Sequence, residues 1–233
     1  MSMQFLIVLC AVLSIAFSQT ALDDRQKFQN SDFVFDLAGS KPNVVGLAGT
    51  GRRASISELP SLSGIGISSV LFHIEACGIN LPHIHPRATE LFYVVEGSFQ
   101  TAFLEENGGR VILNNLTQGQ TTFFPRGHIH FEQNLGCSKA TFLSAFNSED
   151  PGVVTIPNRL YDIPIQALTS SFNNTEDVIN QLKSKLVANP AMGVGECRKR
   201  CGLDVISGSS QIKSGFLFVN FAFLISVSIS FLL

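Results

Sequence analysis

All five histidines of the 233-residue chain lie between positions 73 and 130. His83 and His85 are two residues apart, so in an extended strand both imidazoles project from the same face and can reach one ion. Glu90 follows after a turn-prone segment, where the chain can fold back and bring a carboxylate to that ion. His130 comes from a separate strand-like stretch beyond another sharp turn. These residue types favour a metal site, whereas a bare pair of histidines in a strand could also face solvent.

The residue types of the four candidate ligands also indicate which kind of metal ion would bind. Three neutral imidazoles and one carboxylate leave two positions open on an octahedral ion, which favours manganese or iron over closed structural zinc. Open positions imply that a small-molecule ligand or an oxygen species binds there. Of the other histidines, His128 could orient a ligand or lie at the rim, and His73 is predicted to pack on the strand that leads to His83.

Composition excludes several classes of function. The formal net charge is −2 and only 15% of the residues are charged, so no nucleic-acid partner is expected. Neither a phosphate-binding loop nor a dinucleotide-binding glycine pattern is present, and no nucleophile stands beside a base. Twenty Phe, 19 Gly and 9 Pro indicate a Phe-packed core with many turns, which favours a β-rich domain.

The elements that must position the ligands follow from the hydrophobic pattern. Seven short β-prone runs separated by turns predict an antiparallel sandwich or barrel; they cover 67–75, 90–95, 99–104, 110–113, 121–124, 129–132 and 140–146. A helical face over 176–187, capped by Thr175 or Asn174 and ended by Asn189-Pro190, predicts a helical appendage. Residues 19–53 have weak periodicity and several glycines, and we predict a loosely structured arm that wraps the core or a neighbouring subunit.

Both ends of the chain have the pattern of processing signals. An apolar run at 5–17, followed by a small-x-small motif, predicts a signal peptide over 1–18 and therefore export. The apolar stretch 216–233, preceded by small residues, is typical of a glycosylphosphatidylinositol attachment signal, and a plain hydrophobic anchor remains the alternative. We thus expect a secreted, extracellular protein or one attached to the cell surface through a lipid. Asn115 and Asn173 lie in glycosylation sequons.

Two longer segments resemble the characteristic boxes of germin-like proteins in the cupin superfamily. They run from Gly78 to Gly97 and from Gly119 to Asn134, and the resemblance extends over about 55–203. Within that family the chain is similar to the spherulin-like branch of slime moulds and fungi, through two phrases: Pro82-His83-Ile84-His85-Pro86-Arg87-Ala88-Thr89-Glu90-Leu91 and Asn147-Ser148-Glu149-Asp150-Pro151-Gly152.

The resemblance implies an all-β fold, a cupin jelly-roll β-barrel with a small C-terminal helical appendage. It implies a manganese ion held by His83, His85, Glu90 and His130, and homotrimers or homohexamers assembled through the C-terminal helices. The domains expected are a signal peptide, an arm, the barrel, a helical extension and an attachment signal, at 1–18, 19–54, 55–160, 161–203 and 204–233.

The resemblance also implies alternative functions. One is a manganese-dependent oxidoreductase of the superoxide dismutase or oxalate oxidase type. Another is a non-catalytic wall, coat or storage protein of spherulin type, and a third is a surface receptor-like binder. Asn80 matches one of two asparagines that handle substrate in oxalate-oxidising members, but Val70 stands at the place of the other, so oxalate is not implied as the substrate.

Four cysteines remain beyond the predicted signal peptide, which suits an oxidising compartment. If the strands bearing the two matched boxes are antiparallel neighbours, Cys77 and Cys137 stand almost opposite each other. We therefore predict a Cys77–Cys137 disulfide, with two free buried thiols as the alternative. Cys197 and Cys201 would then pair locally or stay reduced.

Overall fold

The computed structural model describes residues 22–193 and 195–204. The predicted signal peptide, and all but the first residue of the predicted attachment signal, lie outside these residues. Within the described ranges, no helix has both the length and the apolar character needed to cross a bilayer.

The described residues form two antiparallel sheets that face each other, as expected for a jelly roll. The strands are β1 Val44–Gly46, β2 Gly49–Ala54, β3 Ser68–Ile74, β4 Ile79–Ile84, β5 Glu90–Glu96, β6 Ser98–Leu104, β7 Val111–Thr117, β8 Thr121–Phe124, β9 His130–Asn134, β10 Ala140–Phe146 and β11 Val154–Thr155. The six-stranded sheet has the order β1-β2-β3-β10-β5-β8, and the five-stranded sheet has the order β11-β4-β9-β6-β7. The two sheets confirm the predicted all-β architecture.

Phenylalanine rings fill the space between the sheets. Phe92, Phe99, Phe124 and Phe142 are almost completely buried. The ring centroid of Phe142 lies 4.7 Å from that of Phe92 and 5.2 Å from that of Phe99. Strand β3 alternates buried and half-buried residues along its length, as a strand with one face on a core must. The core thus forms a rigid wall beside the candidate ligands.

The N-terminal arm differs from its prediction over its last part. Residues 44–54 form β1 and β2, and β2 pairs with β3 along its full length, with Arg53 opposite Val70. A Cβ on Gly49 would lie 2.4 Å from the carbonyl oxygen of His73, so the close approach of these strands requires glycine. Glycines carry no β-strand signal in a sequence pattern, and for this reason the two strands were mistaken for loose chain.

The C-terminal part forms the predicted helical appendage: α1 Ile156–Leu160, α2 Ile165–Phe172, α3 Glu176–Lys183 and α4 Glu196–Arg200. Thr175 caps α3, since its side chain accepts a hydrogen bond from the amide of Val178, as predicted. The helix ends at Lys183, four residues before the predicted end at 187.

The segment after α3 closes one edge of the barrel. Ala191 pairs with Ile79 of β4, and the amide of Ala48 donates to the carbonyl of Pro190. A Cβ on Gly46 would lie 2.1 Å from that same carbonyl oxygen, so the segment packs directly on β1. The chain therefore leaves the helix early in order to bridge the two sheets.

The predicted Cys77–Cys137 disulfide is wrong. The structure contains Cys77–Cys197 and Cys137–Cys201, so both alternatives for Cys197 and Cys201, a local pair or reduced thiols, are wrong as well. One bond joins a turn of the barrel to α4 and the other joins a second turn to the residue directly after α4, and together they fasten the C-terminal segment to the barrel.

The register argument failed beyond the ends of the strands. His83 does face His130, and β4 and β9 are antiparallel neighbours as expected. Cys77, however, precedes β4 in a turn with φ 58°, and Cys137 follows β9 in the next turn. The amide of Cys77 donates to the carbonyl of Gly136, so the turns are in contact, but their cysteines are bonded to Cys197 in α4 and to Cys201 directly after it.

Candidate metal centre

The structure brings the four predicted ligands into one buried group. His83 on β4 faces His130 on β9, and His85 follows directly after β4. Glu90 opens β5 and reaches across from the opposite sheet. One ligand atom from each of the four lies within 4.8 Å of all the others, and no residue of the group is more than 8% exposed.

Backbone carbonyls fix the tautomer of all three imidazoles. The Nδ1 of His83 lies 2.8 Å from the carbonyl oxygen of Leu81, and that of His130 lies 2.8 Å from that of His128. The Nδ1 of His85 contacts the carbonyl oxygen of Gly152. Because a carbonyl oxygen can only accept, each Nδ1 carries the proton. In the neutral imidazole with this tautomer the lone pair is on Nε2, which is the form that binds a metal ion.

Glu90 completes the donor set. Its Oε2 lies 3.1 Å from the Nε2 of His85 and 3.2 Å from the Nε2 of His130. Its Oε1 accepts a hydrogen bond from the hydroxyl of Ser144, which is itself buried. A carboxylate and an Nε2 lone pair that face each other at these distances need a proton or a metal ion between them. The group thus fits a metal ion with nitrogen and oxygen ligands.

The surroundings of His83 and Glu90 favour the protonation states that bind a cation. Burial, together with the neighbouring His130 and His85, lowers the pKa of His83 to about 3, so this imidazole is neutral near pH 7. Burial alone would raise the pKa of Glu90, but contacts with His130 and His85 outweigh it and hold that pKa below its ordinary value. A neutral imidazole and an ionised carboxylate are the states that a metal requires.

Aromatic rings pack directly against two of the imidazoles. The ring of Phe124 stacks on His130 with centroids 4.4 Å apart, and Phe146 meets His85 edge to face at 4.6 Å. These contacts also lock the imidazoles in their orientations, since a ring packed on another ring cannot turn freely.

A cavity of about 280 Å³ opens beside the group. Three of the four ligands line it, and so does Asn80, the residue matched to substrate binding. The Nδ2 of Asn80 donates to the Oε2 of Glu132 at 2.8 Å, and its Oδ1 accepts from the Nδ2 of Asn189. The amide of Asn80 is thus held at the wall of the cavity by protein groups on both sides.

Sequence reasoning missed two residues of this network. Asn189 lines the cavity, and its Oδ1 accepts from the amide of Leu81 at 2.7 Å. Its only sequence signal was the helix-ending Asn-Pro pair, which says nothing about a site more than a hundred residues earlier. Glu132 is fully buried and shares the inward strand parity of His130, a pattern that could have identified it.

The carboxyl group of Glu132 is fully buried inside the barrel and only partly hydrogen-bonded. Its Oε1 is buried without a hydrogen-bond partner among the described residues and lies 4.0 Å from the Nε2 of His130. Burial, and next the charge of Glu90, raise its pKa well above the ordinary value, against the opposing hydrogen bond from Asn80.

The remaining predicted residues lie outside the metal centre. His128 contributes only its carbonyl, and its ring packs near Phe103 with centroids 6.0 Å apart. The ring of His73 lies on β3 beside Thr141, at 3.0 Å from the hydroxyl. Asn115 on β7 and Asn173 after α2 are both exposed, so each is accessible to a modifying enzyme.

Comparisons with known proteins agree with this geometry. The family model described as Cupin matches residues 35–180. Spherulin-1B of Physarum polycephalum is 41% identical over 193 residues, which are 82% of this chain and 76% of that protein. Germin-like protein subfamily 2 member 2 of Arabidopsis thaliana is 36% identical over 165 residues, which are 67% of this chain and 73% of that protein.

A solved structure of oxalate oxidase is similar as well. It is 28% identical, with a TM-score of 0.64 over 69% of this chain and 83% of the other. The buried group of three histidines and one glutamate resembles the manganese site of germins. Since the family model matches more than half of the residues and the relatives share most of their length with it, the chain belongs to the cupin family, with spherulins and germin-like proteins among its relatives.

Proposed function

We propose that the chain is an extracellular, manganese-binding oxidoreductase that acts on an oxygen species or a small acid. The observation that carries the proposal is the convergence of three Nε2 lone pairs and one carboxylate oxygen beside a cavity. Three imidazoles and a carboxylate suit manganese and leave coordination positions for a substrate. Similarity to an oxalate oxidase structure supports redox chemistry on a small acid.

The ligands would be His83, His85, Glu90 and His130. Manganese supplies one-electron redox chemistry at such a site when it is bound. The protein holds the three imidazoles by their Nδ1 protons and the carboxylate by Ser144, so the donor atoms need no rearrangement. Phe124 packs on His130, and Phe146 packs on His85 at the wall of the cavity, so both rings restrict the access of water to the ligands.

Asn80 would contact the substrate. It lines the cavity, and Glu132 and Asn189 fix its amide plane. The Nδ2 has a second hydrogen that can donate to an oxygen of the substrate. A residue fixed in this way orients a ligand without losing side-chain entropy when the ligand binds.

The test is metal content and turnover of the purified protein. Manganese is measured by elemental analysis after loading, and superoxide dismutation and oxalate oxidation are assayed beside a His85→Ala variant. We expect the wild-type protein to bind about one ion per chain and to turn over one of these substrates, and the variant to lose both. A His128→Ala variant is the matched control, because it keeps the carbonyl that holds His130. Equal background rates in wild type and His85→Ala would reject catalysis.

The spherulin relatives favour a second candidate, a non-catalytic coat or storage protein that uses the metal for folding. In that case His85→Ala would lower the thermal stability of the metal-loaded protein, while neither protein would turn over a substrate. Membrane attachment through a lipid and assembly into homotrimers or homohexamers remain predictions. Release of the protein from cells by a phosphatidylinositol-specific phospholipase would test the first, and sedimentation of the purified protein would test the second.

A further inference from the structure

The cavity at the metal ligands contains a guanidinium that the proposed metal chemistry does not use. Arg53 of β2 lines this cavity together with three of the ligands. Arg53 faces Val70 of β3 in the antiparallel register, and Val70 is buried in the cavity wall. Since cross-strand partners project from the same face of a sheet, the side chain of Arg53 emerges on the inner face.

One edge of the guanidinium is engaged by Glu58. The Nη2 of Arg53 donates to Oε1 at 2.9 Å, and its Nε donates to Oε2 at 3.3 Å. Glu58 is held in turn by the amide and the hydroxyl of Ser55, at 3.1 and 2.6 Å. The guanidinium is therefore fixed in position before any ligand arrives, which reduces the entropy cost of binding.

The other edge of the guanidinium is available. A guanidinium has five N–H donors in a planar fork, and Glu58 takes two of them. The Nη1–Nη2 edge retains two parallel N–H groups, and no residue in 22–193 or 195–204 forms a hydrogen bond with Nη1 of Arg53. Two parallel donors match the two oxygens of a carboxylate.

Arg53 supplies the positive charge of the cavity, and the carboxylates that line the cavity have other partners. Among the described lining residues, Arg53 alone has a permanently positive side chain. Asp150 lies at the same cavity, but its Oδ1 is bound by the Nη2 of Arg87 at 2.7 Å. The carboxylate of Glu90 contacts His85 and His130 and belongs to the metal ligands, so Arg53 is not its partner.

Apolar side chains make up much of the remaining wall. They are Val44, Val70, Phe72, Phe146 and Val153. A ligand that meets both the metal end and Arg53 would therefore also contact apolar side chains. A cavity of about 280 Å³ also has room for more than a two-carbon acid.

We infer that the cavity binds an organic acid with two polar ends and an apolar spacer, one end reaching the metal ligands and a carboxylate pairing with the free edge of Arg53. This inference rests on the proposed metal-dependent function and names its substrate class. Oxalate is too short to have such a spacer, so Arg53 separates longer acids from oxalate.

The test is a series of dicarboxylates titrated calorimetrically into manganese-loaded protein. The series consists of oxalate, malonate, succinate, glutarate and adipate, in which the distance between the two carboxylates increases by one methylene group at each step. We expect Arg53→Gln to weaken the best-binding longer acid by about tenfold or more, as the loss of a charge-assisted bidentate pair should. Oxalate affinity and manganese content should stay within twofold of wild type.

A Glu58→Gln variant is the matched control. It removes the negative charge that competes for Arg53 and keeps the hydrogen-bonding shape, so we expect equal or tighter binding of the longer acid. Equal losses in Arg53→Gln and Glu58→Gln would overturn the inference, because Arg53 would then act only through its pair. Equal binding of the monoamide of the best acid would also overturn it.

Two further measurements keep the result decisive. Arg53→Lys preserves the charge and a contact with Glu58, and it should give an intermediate loss if Arg53→Gln fails to fold. Turnover is measured on the same samples: absent turnover with intact Arg53-dependent binding rejects the proposed activity alone. If turnover is normal but the affinity for the longer acid is the same in wild type and Arg53→Gln, the inference about Arg53 alone is rejected.

Discussion

Ser144→Ala tests whether the carboxylate ligand is held in place by its neighbour. Ser144 is almost completely buried on β10, and its hydroxyl donates to the Oε1 of Glu90. A hydrogen bond to a charged group contributes about 1.5–3 kcal/mol. Since about 1.4 kcal/mol corresponds to a tenfold change in affinity, we expect manganese to bind about tenfold to a hundredfold more weakly.

The assay is a titration of metal-free protein with manganese, in which the free ion is followed by its paramagnetic resonance signal. Thr141→Val is the matched control, because it also removes a buried hydroxyl from β10. The hydroxyl of Thr141 contacts His73 at 3.0 Å and not the metal ligands. Thr141→Val should therefore lower stability without changing the affinity for manganese.

Unchanged manganese affinity in a folded Ser144→Ala protein would refute the reasoning. It would mean that His85 and His130 position Glu90 by themselves. An equal loss of affinity in Ser144→Ala and Thr141→Val would refute it in another way, since the effect would then come from a general loosening of β10.

Three other predictions follow from buried groups and close contacts. Glu132 has a raised pKa when folded, so the folded state binds more protons and stability falls as pH rises above about 4.5, by up to about 1.4 kcal/mol per pH unit, until the folded pKa is passed. Glu132→Gln should remove this slope from chelator-treated protein, and urea unfolding at several pH values measures it; an unchanged slope contradicts the assignment. Replacing Cys137 and Cys201 by serine opens a bridge with a sequence separation of 64 and should cost up to roughly 4 kcal/mol in urea unfolding, whereas a change under 1 kcal/mol would show that the bridge does not constrain the chain. Gly46→Ala places a Cβ 2.1 Å from the carbonyl oxygen of Pro190 and should lower the free energy of unfolding by about 1–3 kcal/mol; a stability equal to wild type would show that the closing segment yields.

Three of the metal ligands, His83, His85 and Glu90, could be predicted because they lie close together in the sequence. The spacing of His83 and His85 sets both imidazoles near one point, and the turn before Glu90 brings the carboxylate back to them. His130 lies on a separate strand, and its distance could be inferred only through the resemblance of the second box. The structure then supplied what spacing does not contain, namely the carbonyls that fix each tautomer.

The disulfides and the first two strands were not predictable in the same way. A register continues only while two strands remain paired, and Cys77 and Cys137 both lie past the last pair of β4 and β9. The correct partners are Cys197 in α4 and Cys201 directly after it, which are far away in sequence, and no sequence pattern indicates where this helix lies on the barrel. The glycines of β2 likewise fit between strands because they lack side chains, and this absence leaves no hydrophobic pattern to detect.

The C-terminal segment links the stability of the barrel to the shape of the cavity. Asn189 orients Asn80 inside the cavity, while the next residue, Pro190, bonds to the loop between β1 and β2. A few residues later, the disulfides of Cys197 in α4 and of Cys201 directly after it fasten the segment to the barrel turns. Loosening of this segment would therefore open the barrel edge and release the amide of Asn80 together. Asn189 also accepts from the amide of Leu81, whose carbonyl holds His83, so this ligand would lose an indirect support. The supports of His85, Glu90 and His130 lie outside the segment, at Gly152, Ser144 and His128. A change in the C-terminal segment should therefore affect substrate orientation before it affects metal binding.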